Sequence, residues 1–323
     1  MRPRCSVRIA GACAVSARFS VIIPAYNAAR TLPRALDSVL AQSHPAHEIL
    51  VVDDASADAT PQIAAAYGER IRYLRREQNA GVSAARNHGA QQATGNWLAF
   101  LDADDWYVPD RLKLHADWIA QDGALDFLTG DYEYRDMSGA LLGTSMAQHG
   151  SGRAMLSKAA GADRVVMEGD EFEAYVADHF GDTHTLSVPR LAFLELGGYP
   201  LGFKVCEDVH LLTRLVARSR RAGVVCKSLG VYVIHGDSAT RRDPVAAQQE
   251  NVRTLTHLLQ VSSDFPPAVQ RGVRERMRLG RLNLGYALAK RGRRREALRA
   301  VLPSLYERPG LASVGDVLRM VRG

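Results

Sequence analysis

The fold of this chain is decided by the stretch Glu48–Asp54, whose sequence is EILVVDD. Its centre is continuously apolar, which is typical of a parallel β-strand that other elements cover on both faces. The apolar run ends abruptly in Asp53 and Asp54. Two carboxylates at the carboxyl end of a buried strand indicate a ligand site, because open α/β sheets bind their ligands at that edge.

Three further apolar runs predict neighbouring strands, at Phe19–Ile23, Ile71–Leu74 and Trp97–Leu101. Helical patterns separate them, one opened by Thr60 before a proline and one in the alanine-rich stretch Gly81–Thr94. Strands that alternate with helices predict an α/β fold with a parallel, doubly wound sheet. The polar residues that follow these strands are therefore expected to meet at one edge of the sheet.

Beyond Pro109 the periodicity is weaker, and Gly150–Ala162 is small and polar. The predicted elements are a strand with a hairpin (Asp126–Leu142), a strand followed by a helix (Leu186–Leu196), an amphipathic helix (Glu207–Ala222) and two short strands (Val224–Cys226 and Val231–Ile234). The composition becomes helical and arginine-rich from about Asp243, with no further strand candidates.

The composition allows a sizeable buried core and one or two domains, since 46% of the 323 residues are hydrophobic. We expect a disordered leader over residues 1–18, a catalytic α/β domain over 19–242 and a helical extension over 243–323. Within the extension, Gly280–Leu305 resembles one tetratricopeptide-like hairpin, and a single unit cannot stack into a solenoid. We therefore favour a helical tail that packs on the α/β domain.

The charge of the chain favours an anionic partner, because the formal net charge is +6 and the pI is about 9.2. A nucleotide diphosphate, nucleic acid and the acidic inner face of a membrane all satisfy this condition. Nucleic acid is suggested by charge alone, chiefly over Arg271–Arg299, and we predict none as a partner. A solvated helix face or contact with anionic lipid explains that run equally well.

Cysteine spacing and the N-terminus favour a cytoplasmic protein. Cys5, Cys13, Cys206 and Cys226 form no CxxC pair, so free thiols in a reducing cytosol are favoured over a zinc site. The basic N-terminus resembles a secretory signal only loosely, because the stretch after Arg8 is short and weakly apolar. No run approaches the roughly 18 apolar residues that a membrane span requires.

The first chemical constellation combines Pro24-Ala25-Tyr26-Asn27 with Asp53–Asp58. A carboxylate at a strand end, here Asp54, can accept the imide N–H of uracil or thymine, and Tyr26 can stack on the base. Asp and Ser also cap helices and form turns, and we favour that structural role for Ser56 and Asp58.

The second constellation is Asp102-Ala103-Asp104 at the exit of a strand. Its two carboxylates can divide their work between a sugar or ribose hydroxyl and a divalent ion. Mg²⁺ and Mn²⁺ sites at phosphates need only one or two carboxylates, because phosphate oxygens complete the coordination. Such an ion stabilises a departing diphosphate as a Lewis acid.

The third constellation is Glu207-Asp208, at the start of the predicted amphipathic helix. Acids at a helix N-terminus are favoured by the helix dipole, so a purely structural role accounts for them equally well. The alternative is that Asp208 is a general base that takes a proton from an attacking hydroxyl.

Together these segments resemble glycosyltransferase family 2, whose members have the GT-A fold. The residues that carry the resemblance are Phe19–Asn27 (FSVIIPAYN), Val51–Asp58 (VVDDASAD), Asn79–Gly89 (NAGVSAARNHG), Gly95–Asp105 (GNWLAFLDADD) and Gly197–Tyr199 ahead of Glu207-Asp208. The resemblance is strong over 19–107, moderate to about 235 and absent beyond. It implies a GT-A type α/β fold, with a nucleotide-binding parallel or mixed sheet flanked by helices, here followed by the helical extension.

The resemblance also implies roles for individual residues. Asp208 is the catalytic base, and a divalent metal, Mn²⁺ or Mg²⁺, is held by Asp104 and by His235. The nucleotide-sugar donor is bound by Pro24, Tyr26, Asn27, Asp54, Asn79, Arg86, Asp102 and Ala103. Asp54 is expected at the pyrimidine and Asp102 at the ribose or sugar.

The implied reaction is an inverting transfer from a UDP- or dTDP-linked sugar to a hydroxyl of a saccharide or lipid-linked saccharide. We expect a hexosyltransferase of cell-envelope polysaccharide biosynthesis, cytoplasmic or peripheral on the inner face of the membrane. Ala55 and Ala57 stand where the family often has Gly and Thr, a mild departure. The segment around Asp182–Thr185 matches no pattern, which leaves the acceptor open.

Other protein classes fit less well. A nucleotidyltransferase needs a glycine-rich basic loop after the first strand, and a dinucleotide-dependent oxidoreductase needs GxGxxG there. Neither is present at Pro24–Asn27. A catalytically inactive nucleotide-sugar-binding or scaffold protein of the same fold stays open as the alternative, although all the expected acids are present.

Overall fold

The computed structural model describes residues 16–234 and 243–322. The strands are β1 (Phe19–Ala25), β2 (Glu48–Asp53), β3 (Arg72–Arg75), β4 (Trp97–Phe100), β5 (Trp106–Tyr107), β6 (Phe127–Asp136), β7 (Leu141–Thr144), β8 (Arg164–Glu168), β9 (Ser187–Pro189) and β10 (Arg221–Ile234).

The helices connect these strands and then continue alone to the end of the described chain. Those within the sheet-containing part are α1 (Leu32–Leu40), α2 (Thr60–Ala65), α3 (Val82–Gln92), α4 (Arg111–Gln121), α5 (Ser145–Gln148), α6 (Gly150–Ala159), α7 (Glu171–Ala177), α8 (Arg190–Glu195) and α9 (Glu207–Arg218). Those that follow are α10 (Pro244–Val261), α11 (Pro267–Lys290), α12 (Arg294–Val301), α13 (Ser304–Glu307) and α14 (Leu311–Arg322).

The strands form one mixed sheet in the order β3-β2-β1-β4-β9-β6-β10-β5, with β7 beside β6 and β8 beside β10. Strands β1 to β4 pair in parallel, as the alternation of strand and helix predicts. The sheet as a whole is mixed, which the resemblance allowed, because β9 pairs antiparallel with both β4 and β6. This three-residue strand joins the two halves of the sheet, and so short a strand gives almost no signal in the sequence.

The register of the first half places the predicted site residues at one edge. Ala25 lies opposite Asp53, and Ile22 lies opposite Phe100, so β1, β2 and β4 end side by side. The residues that directly follow these strands therefore converge. This confirms the prediction that the acids at the strand ends meet at the carboxyl edge of the sheet.

Helices cover both faces of this part of the sheet. Val21 and Ile23 pack with buried residues of α1 on one face, while Ile22 packs with α3 on the other. Because successive side chains of a strand point to opposite faces, a continuously apolar strand needs cover on both sides. Gly89 allows α3 to approach closely, since an added Cβ would lie 2.6 Å from Cγ2 of Ile22.

Three boundaries in the second half differ from expectation. The two short strands predicted around Val224 and Val231 are one strand, β10, which carries irregularities on both sides of Ser228. The predicted helix Glu207–Ala222 ends at Arg218, because the following residues enter β10. The small, polar stretch 150–162 contains helix α6, which presses Gly152 against the backbone of Met146.

The helical segment after residue 242 packs directly on the sheet-containing part. Gly272 of α11 lies against α7, where an added Cβ would be 2.7 Å from the carbonyl oxygen of Glu173. Helices α11 and α12 form a hairpin around Gly292, which has a φ of 74°. In the described part of the chain, no helix is both long and apolar enough to cross a membrane.

We predict that Gly95→Ala destabilises the protein by about 1–3 kcal/mol, because an added Cβ meets tightly packed atoms that cannot move aside. That Cβ would approach the carbonyl oxygen of Arg18 and lie 2.6 Å from Oγ of Ser20. Chemical denaturation measures the effect. The matched control is Gly123→Ala, which meets open space and should leave the free energy of unfolding nearly unchanged. Equal stabilities for the two variants would contradict this account of the packing between β1 and β4.

Candidate active site

Two cavities open at the carboxyl edge of the sheet. The first has a volume of about 430 Å³, and the second about 300 Å³. Val82, Asp102 and Asp104 line both, so the two cavities meet at the acids that follow β4. This arrangement presents two ligand spaces on either side of one pair of carboxylates.

The first cavity contains most of the residues predicted to bind the donor. Its lining includes Pro24, Tyr26, Asn27, Asp102, Ala103 and Asp104. The ring of Tyr26 is 53% exposed, so it is free to stack on a planar ligand. Two arginines of the α1 region, Arg30 and Arg34, also line this cavity and were not predicted. Their spacing of four residues near a strand end is the signal that could have identified them.

Arg34 is held close to the acids by its own contacts. Its Nη2 donates to the backbone oxygen of Asp104 over 2.8 Å, and its guanidinium lies 3.9 Å from the centre of the Trp106 ring. Burial lowers the pKa of this arginine, while Asp105 and Asp104 raise it in part. The cation therefore adds positive charge to a cavity that the acids would otherwise make strongly negative.

Arg86 lines the second cavity and is almost completely buried. Its guanidinium donates to Asp102 over 2.6 Å and to Glu207 over 3.1 Å, and it lies 4.8 Å from the centre of the Tyr199 ring. The resemblance implies that this arginine helps to hold the nucleotide. In the structure it holds two carboxylates in place. Asp102 lies two residues before the predicted metal ligand Asp104, and Glu207 directly precedes the predicted base Asp208.

Asp54 and Asn79 line neither of these two cavities. The carboxylate of Asp54 is buried, and it accepts hydrogen bonds from Arg76 and from the backbone N–H of Gly81, both over 2.7 Å. Asn79 is exposed and accepts from the same N–H over 3.2 Å. These contacts order the loop that leads into α3, and the pyrimidine contact of Asp54 stays a prediction.

Ser56 and Asp58 have the structural role that the sequence favoured. Oγ of Ser56 accepts from the N–H of Asn27 over 2.9 Å. The carboxylate of Asp58 accepts from the N–H of Thr60 over 2.9 Å and from that of Ala29 over 3.1 Å. Both side chains therefore fix the loop that carries Tyr26.

Asp208 lines the second cavity beside an acid that sequence reasoning did not identify. Asp208 and Asp182 share a hydrogen bond between their carboxyl groups. Burial, the charge of Asp182 and this hydrogen bond raise the pKa of Asp208 to about 8. Asp208 therefore carries the shared proton at neutral pH, and it becomes a strong base once that proton is lost.

Asp182 is positioned by a short 3₁₀ turn, Thr183–Thr185. Its carboxylate accepts from the N–H of Thr183 over 2.5 Å, and its own N–H donates to Oγ1 of Thr185 over 3.0 Å. An Asp followed three residues later by Thr is a capping pattern, which is the one signal the sequence offered. Lys204 and Tyr232 complete the unpredicted lining of this cavity.

Asp102 and Asp104 suit a divalent ion whose coordination is completed by phosphate oxygens. Asp104 lines both cavities, and Asp102 beside it is already paired with Arg86. Among the described residues, no group of three or more His, Cys, Asp or Glu side chains forms a closed metal site. A donor set of one or two carboxylates suits Mg²⁺ or Mn²⁺ at a diphosphate, and it does not suit a protein-only cage. The other predicted ligand, His235, lies outside the described residues.

Comparison with known proteins places this arrangement in a family. The family model described as Glycosyl transferase family 2 matches residues 20–153, which include β1 to β4 and the acids at their ends. The chain is thus similar to glycosyl transferase family 2 over less than half of its length. The matched segment carries all of the residues predicted to bind the donor and ends before Asp182 and Asp208.

Curated relatives match about a third of this chain and not the whole of it. The succinoglycan biosynthesis protein ExoO of Rhizobium meliloti is 47% identical over 93 residues, which are 28% of this chain and 27% of that protein. The putative teichuronic acid biosynthesis glycosyltransferase TuaG of Bacillus subtilis is 39% identical over 114 residues, which are 34% of this chain and 45% of that protein. The chain thus spans less than half the length of either relative.

Solved structures of similar fold extend over nearly the whole chain. S. aureus TarS, residues 1–349, aligns with a TM-score of 0.63 and 17% identity over 94% of this chain and 89% of that one. The mannosyltransferase PcManGT of Pyrobaculum calidifontis aligns with a TM-score of 0.58 and 19% identity over 95% of this chain and 80% of that one. These similarities confirm the predicted GT-A fold with a helical C-terminal part.

We predict that the Asp208 carboxyl titrates near pH 8, and that Asp182→Asn lowers its pKa by about 1 or more because a neighbouring negative charge is removed. The ¹³Cγ shift of isotope-labelled aspartate, assigned with Asp208→Asn, measures this titration. Asp117→Asn is the matched control, since Asp117 is exposed on α4 and pairs with Lys113. A pKa near 4 for Asp208 in the unmodified protein would show that the two carboxyls do not share a proton.

Proposed function

We propose that this chain is an inverting glycosyltransferase that moves a sugar from a nucleotide-diphospho-sugar to a hydroxyl of a saccharide. The observation that carries the proposal is that the two cavities meet at Asp102 and Asp104, while Asp208 lines only the second. A donor in the first cavity and an acceptor in the second would meet at these acids. The base then lies on the side from which the acceptor attacks.

The first cavity suits a nucleotide diphosphate. It offers the exposed ring of Tyr26 for a base, and the cations Arg30 and Arg34 for phosphate charge. A TarS structure of the same fold contains UDP-GlcNAc, and the PcManGT structure contains GDP-Man and Mn²⁺. We infer a UDP- or dTDP-linked sugar as the donor, in agreement with the expected pyrimidine contact of Asp54.

In the proposed reaction, the acceptor hydroxyl oxygen attacks the anomeric carbon from the second cavity. Asp208 first releases its proton to solvent, and its carboxylate then accepts the hydroxyl proton as the new C–O bond forms. The bond from the anomeric carbon to the diphosphate breaks, and the nucleoside diphosphate leaves with the electron pair. One displacement on one face inverts the anomeric configuration, and no residue forms a covalent bond to the sugar.

Asp104 and Asp102 are the residues that would hold a divalent ion beside the diphosphate. When bound, the ion would supply Lewis-acid stabilisation of the negative charge that develops on the leaving group. Arg86 keeps Asp102 oriented through their 2.6 Å ion pair, and Arg34 fixes the backbone of Asp104. Asp208 stays outside the first cavity, so its carboxylate is not drawn into donor binding.

The cellular role proposed for the chain is one step of cell-envelope polysaccharide biosynthesis, on the cytoplasmic face of the membrane. The names of ExoO and TuaG refer to the biosynthesis of succinoglycan and teichuronic acid. The two matches cover 28% and 34% of this chain. The acceptor would then be a saccharide or a lipid-linked saccharide, and the second cavity is where it would bind.

We predict that UDP binds with a requirement for Mn²⁺, and that Asp104→Ala abolishes this requirement and most of the binding. Titration calorimetry with UDP, dTDP and GDP, with and without Mn²⁺, measures the effect. Asp208→Asn is the matched variant in the second cavity. It should retain UDP binding and lose about 10²- to 10⁴-fold in kcat for sugar transfer, since it lacks the general base.

Two results would contradict the proposal. If neither UDP, dTDP nor GDP bound under any condition, the donor site would be wrong. If UDP-sugars bound normally but the unmodified protein and Asp208→Asn were equally inactive on saccharide acceptors, the inactive-scaffold alternative would be the better account.

We also infer that the C-terminal helix contacts an anionic membrane surface. On α14, Leu311, Val314, Leu318 and Val321 are exposed, and their spacing places them along one face. Isolated apolar residues are common on surfaces, but a continuous helical stripe indicates a docking face. The exposed arginines between Arg291 and Arg299 add the positive charge that anionic lipid attracts.

We predict that the full chain binds vesicles of phosphatidylglycerol at low salt and does not bind vesicles of phosphatidylcholine. Leu318→Glu should weaken binding by about tenfold or more, because burying a leucine contributes about 1.5–3 kcal/mol. Leu191→Glu is the matched control, since Leu191 is 68% exposed on α8. Co-sedimentation measures the bound fraction. Equal binding by both variants, or none by the unmodified protein, would overturn the inference.

A further inference from the structure

The loop over residues 200–206 joins Tyr199 to helix α9 and forms one wall of the second cavity. Lys204, Val205 and Cys206 line that cavity together with Glu207 and Asp208, the first two residues of α9. The position of Asp208 therefore depends on how this loop enters the helix. Arg86 and Asn87 fix the two ends of this loop, through Glu207 and the backbone of Tyr199.

The loop has backbone conformations that need external support. Cys206, directly before α9, has a φ of 61°, and Gly202 has a φ of 81°. A residue with a Cβ in the left-handed region costs roughly 1–2 kcal/mol, and it persists only where surrounding contacts over-determine it. The contacts that support Cys206 are therefore part of what places the proposed base.

Helix α10 supplies those contacts through three polar side chains. Oγ1 of Thr254, which is fully buried, donates to the carbonyl oxygen of Val205 over 2.8 Å. Nη2 of Arg253 donates to the carbonyl oxygen of Gly202 over 2.6 Å. The Cys206 thiol donates to Oδ1 of Asn251 over 3.0 Å. Three residues on one turn of α10 thus hold the loop at Gly202, Val205 and Cys206, the last of which has the strained backbone.

An aromatic stack reinforces the same junction. Phe203 of the loop contacts the guanidinium of Arg253, 4.7 Å from its ring centre, and the ring of His257, 5.3 Å away. His257 also accepts a 2.9 Å hydrogen bond from Nε2 of His210 on α9, because Nδ1 of His210 accepts from Arg214. Burial lowers the pKa of His210 to about 3, so this histidine stays neutral and the bond persists at neutral pH.

We propose that α10 is a positioning element for the transfer reaction, and that Thr254, Arg253 and Asn251 hold the loop so that Asp208 and Lys204 face the second cavity. The inference rests on the proposed function and assigns a role to residues beyond the α/β domain. A misplacement of about 1 Å in a reacting group can cost about 100-fold in rate. Donor binding is not expected to depend on this contact, because other elements line the first cavity.

The test compares three substitutions on the same helix. Thr254→Val removes the hydroxyl that holds Val205 and keeps the shape of the side chain. Thr254→Ser keeps the hydroxyl, and Thr256→Val is the matched control, since Oγ1 of Thr256 bonds to the carbonyl of Val252 within α10 and, among the described residues, to no part of the loop. With UDP-GlcNAc, UDP-glucose and dTDP-glucose as donors and methyl glucoside as the acceptor, kcat and the donor KM are measured. Thr254→Val should lower kcat by about 10- to 100-fold with an unchanged donor KM, and Thr254→Ser should restore kcat.

A second measurement reports the loop itself and needs no activity. Burial raises the pKa of the Cys206 thiol to about 12, so the held thiol should react slowly with iodoacetamide. Site-resolved mass spectrometry should show faster alkylation of Cys206 in Thr254→Val, while the rate at Cys226 stays unchanged.

If Thr254→Val matched Thr256→Val in both kcat and alkylation, α10 would not position the loop. Faster alkylation with an unchanged kcat would also overturn the proposal, because the loop would be held without consequence for transfer. If the unmodified protein transferred no sugar, the proposed function would fail. The alkylation rates would then still decide whether α10 holds the loop.

Discussion

Arg86 is a buried cation on which the geometry of both cavities depends. It joins Asp102, after β4, to Glu207, at the start of α9, through ion pairs of 2.6 and 3.1 Å. Burial alone would lower the pKa of this arginine, but Asp102, Tyr199 and Glu207 together raise it well above its ordinary value. A guanidinium is expensive to desolvate and is retained only where its partners offset that cost. Because the two acids come from distant parts of the chain, the pairing sets the distance between the donor-side acids and the helix that carries Asp208.

The second cavity is lined by several acids that lie close together, and this clustering accounts for the chemistry proposed there. Arg86 forms ion pairs with Asp102 and Glu207, whereas Asp182 and Asp208 share a proton. Two carboxyls in one partly desolvated space cannot both ionise at low cost. A base formed by losing the shared proton is stronger than an ordinary aspartate, which suits it to accept a proton from a sugar hydroxyl. The clustering of acids thus explains both the ion pairs of Arg86 and the raised pKa of Asp208.

The helical segment after the sheet contacts the candidate site through α10 at one end and exposes an apolar helix face on α14 at the other. Helix α10 holds the 200–206 loop, and α11 approaches α7 closely at Gly272, so this segment is part of the packed body. Helix α14, in contrast, leaves an apolar face exposed. If that face contacts lipid, the site would be held close to the membrane by the same helices that position its base.

The sequence by itself determined the parallel half of the fold and the donor-side acids. Continuously apolar runs that end in Asp54 and Asp102 specify buried parallel strands, and parallel strands bring their carboxyl ends to one edge. Only the tertiary structure decided the antiparallel insertion of β9, the pairing of Asp182 with Asp208 and the contact of α10 with the loop before α9. The physical reason is how far apart in the sequence the interacting residues lie. A buried strand is specified by neighbouring residues, whereas a shared proton or a held loop arises where distant segments pack together, and no local period or motif encodes that meeting.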